Sequence, residues 1–278
     1  MRPWMWTARI AWIVLPITTG SALGETFQSW SRAPQVVVAV LLWLAWFAGL
    51  IALLTTRPWG FTILRVVAPS AVALTIVSAW SAPAATAALA IATSILALVS
   101  ALSSAVAHAC TASTAYGPEQ RFPLRAPMPL LIAPLPVSAA LMAAAIASGP
   151  LLLANGDIGA GIAAVVIGAP LAFVLGRALV SLDRRWIVLV PAGLVVVDPL
   201  AFPDAVLLPR EQIASLERAS AAFALGARPL LITCNEPGSF VRRAGRGQTT
   251  VDADRLRVTP LRPAAVLAAA AAHRISVG

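Results

Sequence analysis

Few side chains in this sequence are of types that perform chemistry. His108 and Cys110 are two residues apart, and a cysteine with a histidine can make a nucleophile and its base. On a helix, however, residues at i and i+2 do not face each other, which spoils a dyad. His273 stands alone in an alanine-rich stretch near the end of the chain. Both histidines are expected at interfaces or in solvent. Cys110 and Cys234 are isolated, with no CxxC, so neither a disulfide framework nor a zinc site is expected. Reduced thiols fit a cytosolic setting for both. No HExxH, GxSxG, P-loop or GxGxxG occurs. The expectation is a protein that is not an enzyme and needs no metal and no cofactor.

The remaining candidates are arginines and prolines. Arg9, Arg65 and Arg177 each lie near one end of an apolar stretch, where a long side chain snorkels to the interface. They read as topology-setting residues before they read as an ion-coupling site. Pro134, Pro136 and Gly149-Pro150 interrupt the fifth apolar stretch. Broken helices mark substrate sites in some carriers, so a small transporter or lipid-handling protein with a site there is the alternative reading. Kinks re-satisfied by neighbouring helices are the plainer one. Arg242, Arg243 and Arg246 sit in a glycine-containing loop, Val241–Gly247. Near an inner leaflet, each arginine contacting anionic lipid head groups contributes about 1 kcal/mol. Otherwise the loop is a solvated hairpin tip.

The elements that hold these residues are set by composition. The chain has 278 residues, 59% of them hydrophobic and 11% charged, against roughly 45–50% and about 25% for soluble domains. Mean hydropathy is +0.86. That much apolar surface cannot be hidden in an aqueous fold, which points to an integral membrane protein. All twenty basic residues are arginine, and the net charge is +9. Arginine without lysine, with abundant alanine, suggests a GC-rich bacterial genome.

A spanning helix needs roughly 20 apolar residues. Six stretches qualify: Trp4–Leu23, Val36–Leu54, Ile63–Trp80, Ala84–Ala109, Met128–Ala154 and Ile158–Leu182. The connectors between them are short, the longest internal one being Cys110–Pro127. An uncleaved signal-anchor is expected at the N-terminus, because cleavage would leave an odd number of spans. With the N-terminus in the cytoplasm, nine arginines fall inside and only Arg32 falls outside. That bias places both termini in the cytoplasm. Trp4, Trp6, Trp59 and Trp186 then lie at the inner boundary and Trp30 and Trp80 at the outer one, as an aromatic belt requires.

Small residues are candidates for helix packing, because they let backbones approach closely. Gly20 and Gly24 form a GxxxG, Ser100 and Ser104 are four apart, and Gly161 and Gly168 are seven apart. They serve contacts within the chain, with a membrane protein partner, or in a homo-oligomer.

Residues 183–278 hold twelve of the twenty arginines and eight of the eleven acids. Here the pattern changes to short strands. Trp186–Pro191 and Leu194–Asp198 read as a hairpin. Ala205–Pro209 and Gln212–Arg218 read as two more strands. Leu230–Cys234 and Ser239–Arg242 flank an Asn235–Gly238 turn, and Arg255–Val258 alternates again. Thr259-Pro260 reads as an N-cap and first helical residue, opening an alanine-rich helix to about His273.

That order resembles the bacterial pleckstrin-homology-like (PH-like) domains of small multi-pass membrane proteins, over residues 184–276. The resemblance rests on Arg185–Asp198, Leu207–Ile213 and Val258–Leu267. It implies a curved, split β-barrel closed at one end by the final helix.

The expected fold class is thus a six-helix transmembrane bundle, residues 1–182, followed by a small α+β, β-rich PH-like cytosolic domain, residues 183–278. The expected role is non-enzymatic: contacts with protein or lipid, in assembly or regulation, at a bacterial inner (plasma) membrane. The lipid bilayer is one partner. Nucleic acid is not, since no aromatic residues interleave with the arginines.

Overall fold

A computed structural model describes residues 2–219, 229–245 and 247–278. It has an N-terminal helical region with six apolar helices and a C-terminal β-rich part with two antiparallel sheets and a final helix. The chain forms two compact units. One comprises Met1–Ala107 and Pro127–Val180, the other His108–Ala126 and Ser181–Gly278. The division expected at 182/183 therefore needs a correction. Residues 108–126, expected as a plain connector, belong with the tail. Phe122 and Leu124 are both 4% exposed and lie in its hydrophobic core.

In the helical unit, α1 (Arg2–Phe27), α2 (Arg32–Thr55), α3 (Pro58–Ser78), α4 (Ala84–Ala101), α7 (Pro134–Ala154) and α8 (Ile158–Asp183) are long and apolar enough to cross a membrane. Two boundaries differ from expectation. The fourth span stops at Ala101, and a separate α5 runs Ser104–Ala112. The Ser103 hydroxyl accepts the Val106 N–H at 3.4 Å and caps the new helix. The fifth span begins at Pro134, after a five-residue α6 at Met128–Ile132. Pro134 starts its helix where a missing N–H costs nothing.

The first two helices are locked by a reciprocal pair. Trp12 Nε1–H donates to the Trp46 carbonyl at 2.9 Å, and Trp46 Nε1–H donates to the Trp12 carbonyl at 2.8 Å. Gly49 makes this possible: a Cβ there would lie 2.0 Å from the Trp12 ring. Hydroxyl pairs join other helices, Thr18 with Thr93 at 2.8 Å and Thr75 with Ser94 at 3.0 Å. Arg9 donates twice to the Leu53 carbonyl, at 3.2 and 3.1 Å, in the last turn of α2, where a cation favours the helix dipole.

In the β-rich unit, one sheet has the order β1-β2-β3-β4 and the other β5-β6-β7. The strands are β1 (Gln120–Pro123), β2 (Trp186–Val190), β3 (Gly193–Val197), β4 (Val206–Pro209), β5 (Ile213–Arg218), β6 (Leu230–Ala244) and β7 (Gly247–Val258). All neighbours are antiparallel. Gly193 has φ +151°, and a Cβ there would meet the Leu208 carbonyl oxygen at 2.2 Å, so the β2–β3 turn requires glycine.

The two sheets are stitched beside β1. Leu124 bridges Pro260, Arg125 N–H donates to the Thr259 carbonyl at 2.7 Å, and Leu261 N–H to the Pro123 carbonyl at 2.9 Å. Thr259-Pro260 is thus part of that bridge and does not open a helix. Pro263 opens α9 (Pro263–Ala272) instead. The final residues pair with β5 through Leu216, whose N–H donates to the Ser276 carbonyl at 2.9 Å. Among the described residues, twenty buried ones from both chain segments form the core.

Candidate functional site

The expected loop Val241–Gly247 is shorter than expected, with strand through Ala244 and again from Gly247. β6 and β7 pair up to Ala244 and Gly247, so Arg242 and Arg243 lie on a strand opposite Thr249 and Gln248. Successive side chains on a strand point to opposite faces. Arg242 and Arg243 are both exposed and point apart. Arg246 lies outside the described residues. The expected Asn235–Gly238 turn is instead an irregularity within β6, where the register passes from Thr233/Arg255 to Gly238/Ala253. Pro237 within this stretch has no N–H to give a ladder.

This irregularity lies beside a concave feature of the unit. A groove of about 380 Å³ runs between β4, with the loop before it, and residues 234–241 of β6. Leu208 and Phe240 supply buried apolar surface, at 3% and 8% exposure. Leu207 and Val241 line the groove as exposed apolar side chains. Asp204 and Glu236 bring two carboxylates, and no arginine or histidine is among the lining residues. Both ends are tied. Arg243 N–H donates to the Ala201 carbonyl at 2.9 Å, and Asn235 Nδ2–H to the Glu211 carbonyl at 2.7 Å.

Cys234 also lines the groove and is buried. Burial, then the charge of Asp254, pushes its thiol pKa up. Cys110 on α5 is buried as well, and burial, then Asp183, raises its pKa to about 12. It is a neutral thiol at any physiological pH. His108 stacks its ring 5.5 Å from that of Phe122, with Nδ1 buried and without a partner among the described residues. Burial, then Arg262, lowers its pKa. These groups favour neutral forms, which suits packing. His273 follows the end of α9.

The small residues divide. A Cβ at Gly161 would lie 2.6 Å from Leu153, and one at Gly168 2.5 Å from the Ala145 carbonyl oxygen. Gly149 likewise abuts Val165. These form the close α7–α8 contact. Gly20 and Gly24 are exposed, and a Cβ on either would meet nothing within 4 Å among the described residues. Ser100 is buried and donates back to the Leu96 carbonyl at 2.6 Å. Ser104 is exposed and starts α5.

Comparison with protein-family models, with curated proteins and with solved structures finds no match to the chain. Sequence reasoning missed the groove, because it forms between residues about thirty apart whose local patterns carry no signal of it. It also missed the roles of Arg185 and Asp198. Their spacing across the β2–β3 hairpin could have shown the pairing, since Trp186 opposes Val197 and the next pair outward is Arg185 with Asp198.

Proposed function

We propose that this is a non-enzymatic integral protein of a bacterial inner membrane, with both termini in the cytoplasm. Its β-rich unit is PH-like and makes protein or lipid contacts in an assembly or regulatory role. Two antiparallel sheets of four and three strands, with a final helix, support the PH-like reading. The arginine bias supports the orientation.

The observation that carries the reading is the composition of the β-rich unit. It takes chain from both flanks of the α7–α8 pair: β1 precedes that pair and β2 follows it. A ligand that stabilises this unit therefore acts on both ends of the pair through covalent continuity. A domain appended by one linker has no such path. Arg242 and Arg243 are the candidate contacts to anionic head groups. Because they point apart, neither face of the hairpin carries both side chains, and the hairpin meets a charged surface edge-on.

The test is purification of the full chain in mild detergent, with mass spectrometry of co-purifying proteins and lipids. It is repeated with Asp198→Ala, which should destabilise the β-rich unit by leaving Arg185 without its carboxylate, and with Arg242→Glu/Arg243→Glu. A protein partner or an anionic lipid should be enriched with the wild type and lost with Asp198→Ala. Identical profiles for wild type and Asp198→Ala would sink the proposal.

A further inference from the structure

The groove lies between two strand edges that lack neighbours among the described residues. β4 ends its sheet. β6 pairs with β5 only from Leu230 to Cys234, so beyond Cys234 its β5-side edge has no strand. The phase of each edge follows from the hydrogen bonds at its end. Arg210 N–H donates to the Ala192 carbonyl, and this pair continues the β3–β4 register. Polar backbone groups alternate in direction along a strand. Leu208 and Val206 therefore bond to β3, and Leu207 directs its N–H and C=O outward. Pro209 shares the phase of Leu207, at an edge where its missing N–H costs no ladder bond.

The same logic applies to β6. Arg243 N–H leaves β7 and donates to Ala201. No register shift separates Gly238 from Ala244. Ser239 and Val241 therefore also direct N–H and C=O away from β7, into the groove. Leu207 on one side and Ser239 and Val241 on the other thus turn backbone groups without a strand partner among the described residues toward one cavity, with apolar side chains at its floor and rim. Free edges of this kind are templates for an added strand.

We propose that this groove binds an extended, basic polypeptide segment of a partner protein by strand addition. The inference rests on the contact-making reading above and names its ligand class. Backbone pairing to Leu207, Ser239 and Val241 supplies the affinity. Asp204 and Glu236, with no cation among the lining residues, select arginine or lysine side chains on the segment. An extended chain occupies about 160 Å³ per residue, from its rise and the strand and sheet spacings. The enclosed part therefore holds about two residues, and the segment leaves at the open side.

The experiment uses the full chain in phosphatidylcholine nanodiscs. The probe is a fluorescein-labelled heptapeptide alternating valine and arginine, read by anisotropy. Saturable binding is expected, weakened by salt. The same peptide with N-methylated backbone amides, and a valine–glutamate version, should bind at least about tenfold more weakly. Leu207→Pro removes an outward N–H and no ladder bond, and it should weaken binding by a similar factor. Leu207→Arg and Asp204→Asn/Glu236→Gln provide independent losses through charge. Unchanged hydrogen exchange in β2 and β3 shows that each variant is folded.

No saturable binding, or binding indifferent to N-methylation and to every groove variant, overturns the proposal. So does self-association of the chain that Leu207→Arg abolishes, which would put a second copy in the groove. If co-purification depends on Asp198 while the peptide does not bind, this inference fails and the contact-making reading stands. If the peptide binds while Asp198→Ala leaves co-purification unchanged, the groove stands and the broader reading fails.

Discussion

Arg185 and Asp198 form a buried, two-pronged ion pair. Nε–H donates to Oδ1 at 2.7 Å and Nη2–H to Oδ2 at 2.6 Å. Nη1–H reaches the Arg125 carbonyl at 2.9 Å, and Oδ1 also accepts the Leu200 N–H at 3.1 Å. One pair thus ties the start of β2, the turn after β3 and the chain leaving β1. Removing one partner leaves a buried charge unpaired, which costs about 3–5 kcal/mol. Asp198→Ala should release hydrogen-exchange protection across β2 and β3. Replacing both residues with apolar ones should recover most of it.

Phe122 tests the two-segment construction. It comes from the stretch between the fourth and fifth spans and is buried in the core of the tail. Phe122→Ala should cost about 3–5 kcal/mol, and the loss should appear as faster exchange in β2 and β3, some sixty residues away in sequence. Loss of protection confined to residues 108–126 would contradict a shared core.

The Trp12–Trp46 exchange tests the helical unit. Gly49→Ala places a methyl inside the Trp12 ring and should destabilise the α1–α2 contact, measured by detergent unfolding. Trp12→Ala in the Gly49→Ala background should restore part of the loss. Trp46→Phe removes one hydrogen bond and should cost about 0.6 kcal/mol and at most about 1.7 kcal/mol, the mean and upper value for such bonds between membrane helices.

Two titrations have opposite signs. His108 has a lowered pKa in the fold, so the unfolded chain binds the extra proton. Its contribution is present above about 6.5 and is lost as pH falls through the folded value. Stability of the β-rich unit should fall below about pH 6.5, and His108→Phe should flatten that limb. Cys110 has a raised pKa, near 12. Its contribution is complete below the unfolded thiol value of about 8.5 and is lost as pH rises through the folded one. Iodoacetamide at pH 8 should therefore label Cys110 only after denaturation.

Much of this architecture was legible from the chain. The six helices follow from runs of apolar residues long enough to dominate any local alternative. The hairpin at Trp186–Asp198 and the strand before Pro209 follow from alternation and turn residues. What escaped was short or non-local. Gln120–Pro123 is a four-residue strand whose partner lies more than sixty residues on, and no local pattern announces it. Val241–Gly247 reads as a loop because its glycines are poor strand formers, yet pairing across the hairpin makes Val241–Ala244 and Gly247 strand. Thr259-Pro260 has the composition of a helix start, and the bridge to Leu124 claims it first. Arg185 stands at the inner end of the last apolar stretch, where an arginine commonly sets topology, whereas its partner Asp198 makes it part of the packed interior. The groove depends on where β5 stops pairing with β6, which the sequence around Cys234 does not reveal.

The most direct measurement is sidedness labelling of single cysteines in a chain carrying Cys110→Ala and Cys234→Ala. Tyr116→Cys marks the segment that supplies β1, and Val277→Cys marks the tail. Both positions are exposed, at 88% and 40%. Trp30→Cys, between α1 and α2 and also 40% exposed, marks the side proposed to face outward. A membrane-impermeant maleimide should label Tyr116→Cys and Val277→Cys only in inverted vesicles and Trp30→Cys only in right-side-out ones. Labelling of Tyr116→Cys and Val277→Cys from opposite sides would contradict a cytoplasmic unit built from both segments, because one β-sheet cannot be divided by a bilayer.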